Sequence, residues 1–128
     1  MPGPGIDVST EGTPSHLVAR LAGELDLATA PVARAALDDA LRAVGDRHLV
    51  VDLTGLTFLG SPGLGLLVNA WGRCAGGGAA FTVVAPPGSA PHRVLEITGL
   101  IGSITVVDGV REVVGTDLGP EVPDAPGR

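Results

Sequence analysis

A buried-strand pattern that runs directly into a helix start constrains this chain more than any other feature. The run Leu49–Leu53 is apolar apart from one aspartate and rich in valine, which favours a strand buried on both faces. A polar and glycine-containing break follows, and then a second apolar pair, Phe58 and Leu59. Ser61-Pro62 predicts a helix start, because the serine oxygen can accept from first-turn amides and proline has no amide to leave unpaired. The pattern therefore places the Ser61 hydroxyl at a helix N-terminus, on a surface turn.

Strand and helix patterns alternate around this unit. Such alternation indicates an α/β fold with a mainly parallel sheet and helices packed on it, and the two opening strands add one antiparallel edge pair. We expect a single domain over 6–114, with disordered ends at 1–5 and in the Gly-, Pro- and acid-rich segment 115–128. The predicted strands are 6–8, 16–22, 49–53, 80–85 and 103–107, the predicted helices follow Thr29, Ser61, Ser89 and Asp108, and a polar loop is predicted at 23–26.

The composition excludes several classes of function. Two phenylalanines, one tryptophan and no tyrosine offer few platforms for base stacking, and a net charge of −6 opposes binding to a phosphate backbone, so we expect no nucleic-acid partner. All eight basic residues are arginine, which excludes a catalytic lysine. No apolar run approaches the roughly 18 residues of a membrane span, and no signal-peptide pattern opens the chain. We therefore expect a cytoplasmic protein without membrane insertion.

Few polar residues converge in a way that supports an enzyme. His16, His48 and His92 have no metal-ligand spacing to another histidine, cysteine or carboxylate, so we expect neither a metal nor a cofactor. The nucleophile elbow G-x-S-x-G requires a glycine two residues before the serine, where this chain has Leu59. A small hydrolase that uses Ser61 is an alternative that the motif does not support.

Two interpretations of Ser61 stay open from the residues alone. A kinase could reach a hydroxyl at a helix N-terminus, and the first-turn amides and the helix dipole would hold a phosphate there. In the simpler interpretation Ser61 only caps the helix, because serine caps are commonplace. The spacing by itself favours the cap.

Three segments of the chain resemble the STAS domain of bacterial anti-sigma factor antagonists. Segment 23–26 (GELD) is similar to the family's G-E/D-L-D loop. Segments 49–53 (LVVDL) and 56–59 (LTFL) resemble its central strand and the lead-in to the turn, and 61–67 (SPGLGLL) resembles its D-S-S/T-G-L-G-x-L helix start. The order of elements agrees from about Ile6 to Val114. The resemblance implies a single STAS-like domain over nearly the whole chain.

The resemblance also implies a role in partner switching. In such proteins the unphosphorylated antagonist binds an anti-sigma factor that is also a serine kinase, which frees the sigma factor. Phosphorylation of the turn serine breaks the complex, because the added charge brings repulsion and a desolvation cost, and a serine phosphatase resets it. Ser61 aligns with that phospho-acceptor. The residues implied to bind the partner are Glu24, Asp26, Gly60, Ser61, Pro62, Gly63 and Leu64.

Two residues depart from the family pattern at the turn. Gly60 stands where the family has aspartate, and Pro62 stands where it usually has serine or threonine. Pro62 removes one amide that could hold a phosphate, and glycine widens the backbone options of the turn. The alternative to the switch is a constitutive STAS binding module, in a signalling assembly or as a soluble subunit of a transport system, with Ser61 only a helix cap.

Overall fold

The computed structural model describes residues 5–115 and confirms the predicted order of strands and helices, with one added 3₁₀ turn at Leu100–Gly102. The segments predicted to be disordered, 1–5 and 115–128, lie outside the described residues except for Gly5 and Gly115. In chain order the elements are β1 (Ile6–Gly12), β2 (His16–Leu25), α1 (Ala30–Val44), β3 (His48–Leu59), α2 (Ser61–Gly76), β4 (Phe81–Val84), α3 (Ala90–Ile97), β5 (Thr105–Val107) and α4 (Arg111–Val114).

The five strands form one sheet in the order β1-β2-β3-β4-β5. The pair β1–β2 is antiparallel and the other three pairs are parallel, which confirms the predicted mainly parallel sheet with one antiparallel edge pair. Each parallel connection contains a helix, as a crossover between parallel strands requires. The carboxyl ends of β2 and β3 consequently lie side by side.

The core is divided unequally between the two faces of the sheet. On one face, alternate strand residues such as Leu21 and Val51 belong to a large apolar cluster with Leu37 of α1, Leu67 of α2 and Leu95 of α3. On the other face a small cluster joins valines of β2, β3 and β4 to α4. Helices α1 and α2 thus pack on the same side, and their starts flank the carboxyl ends of β2 and β3.

The sequence predictions were wrong about the carboxyl ends of β2 and β3. The predicted loop 23–26 is strand as far as Leu25, and the predicted break after Leu53 lies inside one strand that continues to Leu59. The pairing between β2 and β3 continues through both extensions. The register of this pairing shifts at two irregularities, between Arg20 and Ala22 and between Gly23 and Glu24. Bulges of this kind bend a strand and redirect its side chains.

Gly55 allows β2 and β3 to stay close at the first irregularity. A Cβ atom at Gly55 would lie 2.8 Å from the Cβ of Ala22, which is nearer than two side-chain carbons can approach. The glycine that suggested a break is therefore the residue that permits the pairing to continue.

Two histidines stack at the opposite ends of the same strands. The rings of His16 and His48 have centroids 5.2 Å apart and planes inclined by 30°. The Nε2 atom of His48 lies 2.7 Å from the hydroxyl oxygen of Thr82. Burial lowers the pKa of His48, and the proximity of His16 lowers it further. The folded chain therefore favours the neutral form of His48.

We expect His48 to make folding stability depend on pH. Above the ordinary histidine pKa of about 6.5 the ring is neutral in both states and contributes no pH dependence. Below that pH the unfolded chain binds a proton that the folded chain resists, so the free energy of unfolding falls as the pH is lowered. His48→Gln should make the melting temperature fall less steeply between about pH 7.5 and 5.5. Equally steep profiles for the variant and wild type would contradict this assignment.

Candidate functional site

The ends of β2 and β3 bring the two predicted site segments together. Leu25 lies opposite Leu59 in the parallel pairing, and the amide of Gly60 donates to the carbonyl of Leu25 at 2.9 Å. Carboxyl ends of neighbouring parallel strands commonly form binding surfaces in α/β proteins. The structure thus places the segments 24–26 and 60–64, which contain all seven predicted partner-binding residues, at one end of the fold.

Gly60, and not Ser61, is the N-cap of α2. Its backbone is extended, with φ −98° and ψ −179°, and its carbonyl accepts from the amides of Gly63 and Leu64 at 3.0 and 3.2 Å. Ser61 is the first helical residue, and its exposed hydroxyl has no hydrogen-bond partner within 5–115. The prediction that Ser61 caps the helix was wrong, because the carbonyl that accepts the first helical bonds belongs to Gly60. The Ser61 hydroxyl is therefore available to another molecule.

Gly63 allows α2 to pack tightly against the ends of the strands. It is buried, and a Cβ atom at this position would lie 2.6 Å from Cγ of Leu25 and 2.6 Å from Cδ1 of Leu59. Both leucines are buried, so neither has room to move away. Within the predicted site Gly63 supports the turn from beneath, whereas Ser61 lies on its surface.

We expect Gly63→Ala to destabilise the fold by about 1–3 kcal/mol, the usual cost of overpacking a core. The matched control is Gly65→Ala in the same helix, because a Cβ atom there meets nothing within 4 Å. Alanine exceeds glycine in helix propensity by about 1 kcal/mol, so this control should be neutral or stabilising. Urea unfolding measures both effects, and equal stabilities for the two variants would contradict the packing role of Gly63.

The carboxylate of Asp26 is engaged within the fold. Its Oδ1 atom accepts from the Thr29 amide at 3.0 Å, and the Asp26 amide donates to the Thr29 hydroxyl oxygen at 3.0 Å. The Thr29 hydroxyl donates to the carbonyl of Glu24 at 2.7 Å. Thr29, after which the sequence predicts a helix, is thus a buried link between the end of β2 and the start of α1. The signal in the sequence is the spacing of Asp and Thr in a turn.

Glu24 differs from Asp26 although both lie at the end of β2. Its side chain is half-buried, and within the described chain its carboxylate has no hydrogen-bond or ion-pair partner. Only its backbone is engaged, with its amide donating to the carbonyl of Gly5 at 3.0 Å. Of the two predicted acidic contacts, Glu24 is therefore the one whose charge is free to meet a partner.

Exposed apolar side chains flank the turn. Leu27 is 80% exposed and Phe58 is 51% exposed. A groove with a volume of about 490 Å³ lies between α1 and α2, and its lining includes Leu27, Pro31 and Pro62. Of these residues, only Pro62 was predicted from the sequence to bind a partner. The available signal was the pair Phe58 and Leu59, since adjacent residues of a strand face opposite sides and only one can enter the core.

Other kinds of site find little support among residues 5–115. No three or more histidine, cysteine, aspartate or glutamate side chains are arranged there to hold a metal ion. His16 and His48 lie at the amino ends of β2 and β3, away from Ser61. Burial raises the pKa of the Cys74 thiol, which disfavours the reactive thiolate. In the same range no helix is both long and apolar enough to cross a membrane.

Comparison with known proteins assigns the fold to a family. The family model of the STAS domain matches residues 7–113. The chain belongs to the STAS domain family. An anti-sigma F factor antagonist from Paenibacillus polymyxa is 34% identical over 105 residues, which cover 80% of this STAS domain protein and 87% of that relative.

Solved structures agree with this assignment. An anti-sigma factor antagonist from Mycobacterium paratuberculosis superposes on the STAS domain with a TM-score of 0.78 at 28% identity, covering 88% of this chain and 93% of the other. The Bacillus cell fate determinant SpoIIAA, in its phosphorylated form, gives a TM-score of 0.63 at 22% identity over 84% of this chain and 96% of the other. The second likeness shows the shared fold. Together these comparisons confirm the family that the sequence resembles.

Proposed function

We propose that this STAS domain is an anti-sigma factor antagonist whose affinity for its partner is switched at Ser61. It binds an anti-sigma factor of the serine-kinase type and thereby frees a sigma factor, and a serine phosphatase restores the phosphorylated chain to its binding form. The observation that carries the proposal is the exposed Ser61 hydroxyl, which has no partner within 5–115 and lies where the ends of β2 and β3 meet. The relatives named as anti-sigma factor antagonists support it.

A phosphate on Ser61 would act on the partner more than on the helix. The amides of Gly63 and Leu64 already donate to the Gly60 carbonyl, and Pro62 has no amide to offer. Of the first-turn amides this leaves only that of Ser61 itself, so the helix provides little to draw the phosphate onto its own start. The phosphate instead adds negative charge to a surface that also contains Glu24. In a close interface that charge opposes binding through repulsion and desolvation.

The same geometry weakens the two alternatives. The alternative of a constitutive module loses only the cap role that it assigned to Ser61, because Gly60 occupies the cap position. A hydrolase would need a base that accepts the Ser61 proton, and within 5–115 no group forms a hydrogen bond to that hydroxyl. We therefore favour a role in binding, which the relatives named as anti-sigma factor antagonists also support.

We expect Ser61→Asp to abolish the capture of an ATP-binding anti-sigma factor from a lysate of the source organism, whereas wild type and Ser61→Ala retain it. Bound proteins are identified by mass spectrometry. The matched charge control is Ser103→Asp, because Ser103 is also exposed but precedes β5, at the opposite end of the parallel strands. Retention of the same anti-sigma factor by Ser61→Asp would overturn the switch and leave a constitutive binding module.

We expect Glu24→Gln to weaken binding of that anti-sigma factor about tenfold, which corresponds to about 1.4 kcal/mol. Its carboxylate has no partner within the described part of the fold, so the melting temperature should stay unchanged. Asp26→Asn is the contrasting variant, since it should lower the melting temperature by weakening the bond to Thr29. Titration calorimetry and thermal melting separate the two effects. Unaltered affinity for Glu24→Gln would remove Glu24 from the interface.

A further inference from the structure

An exposed phenylalanine next to Ser61 is unusual for this chain. The sequence contains two phenylalanines, and the other, Phe81, is 7% exposed in the core. Phe58 is 51% exposed because its neighbour Leu59 takes the core side of β3. A single exposed apolar residue needs no explanation, but a group of them on a functional surface marks an interaction site. Whether Phe58 marks an interaction site therefore depends on the residues around it.

The ring of Phe58 lies against the turn that presents Ser61. Its Cε2 atom is 3.2 Å, and its Cζ atom 3.6 Å, from the position that a Cβ of Gly60 would occupy. Any side chain at this position would press on the ring, and the extended backbone of Gly60 does not itself require glycine. The substitution of glycine for the family's aspartate thus leaves room for an aromatic ring beside Ser61. Because the ring already contacts the turn, it has less side-chain freedom to lose when a partner binds.

A second exposed apolar side chain shares a groove with the residue that follows Ser61. Leu27 is 80% exposed and lines the groove between α1 and α2 together with Pro62, the residue that follows Ser61. Arg34 and Asp38 line the same groove and give it a polar margin. The residues before and after Ser61 in the chain thus each have an exposed apolar neighbour, Phe58 beside Gly60 and Leu27 in the groove with Pro62. An apolar centre with a polar rim is the usual composition of a protein–protein interface.

We propose that Phe58 and Leu27 are the apolar anchors with which this chain binds its anti-sigma factor, one beside Gly60 and the other in the groove that Pro62 lines. This inference rests on the proposed function. It adds which side chains near Ser61 supply much of the binding energy. The occupant is the folded anti-sigma factor itself, because a kinase that reaches Ser61 must also cover the side chains beside it. An anionic lipid surface is disfavoured by the free Glu24 carboxylate and the net charge of −6.

This arrangement explains how one phosphate could break the complex. Aromatic and large aliphatic side chains at the centre of an interface exclude water from the groups between them. A phosphate on Ser61 would have to lose its hydration within the surface that these anchors cover for the complex to form. The two anchors thus make binding tight when the serine is unmodified and costly when it is phosphorylated.

The test compares Phe58→Ala and Leu27→Ala with the control Ile97→Ala in the purified full chain. Ile97 is 77% exposed at the end of α3, so it matches the anchors in apolar character and exposure. The probe is the anti-sigma factor that the wild-type chain captures, titrated calorimetrically. We expect both anchor variants to bind about tenfold more weakly or worse and Ile97→Ala to bind like wild type, with similar melting temperatures for all three.

The possible results separate this inference from the function on which it rests. If wild type binds and both anchor variants match Ile97→Ala, the inference fails while the proposed function stands. If wild type captures no anti-sigma factor, the proposed function and the inference fail together. If the anchor substitutions instead change the oligomeric state in size-exclusion chromatography, the surface contacts a second copy of the chain and the inference is overturned.

Discussion

The surface around Ser61 depends on the parallel pairing of Leu25 with Leu59. This pairing brings the last residues of β2 and β3 side by side, and the bond from the Gly60 amide to the Leu25 carbonyl extends it by one residue. Gly63 then lets α2 pack directly on both leucines. Segments separated by more than thirty residues in the chain consequently form one continuous surface. The position of the serine is set by apolar packing beneath it, and its hydroxyl takes no part in that packing.

Polar residues on this surface divide into those that build it and those that remain available. Asp26 and Thr29 exchange hydrogen bonds and connect the end of β2 to the start of α1. Glu24 and Ser61 have no side-chain partner among the described residues. A buried polar group is costly unless it is bonded, whereas an exposed one can stay bonded to water until a partner arrives. Whether a polar side chain on this surface is free to bind a partner therefore depends on its exposure and its position in the fold, and not on its residue type.

Most of the fold could be predicted because its signals are local. The helices predicted to follow Thr29 and Ser89 depend on signals from a few neighbouring residues, and the structure contains both of them as α1 and α3. The predictions failed at the ends of β2 and β3, where Gly23 and Gly55 suggested a loop and a break. Whether such residues stay in a strand depends on the partner strand, and no local pattern contains that information.

The sequence by itself determined the order of the elements, the family, and the chemistry available at the turn: one hydroxyl at position 61, no lysine, and an acidic segment that ends at Asp26. The tertiary structure decided how those groups are used. It made Gly60 the cap, left the Ser61 hydroxyl free, engaged Asp26 with Thr29, and exposed Phe58 beside the turn. The physical reason is that periodicity and capping preferences act over a few residues, whereas hydrogen-bond partners and burial are set by segments that meet only in the folded chain.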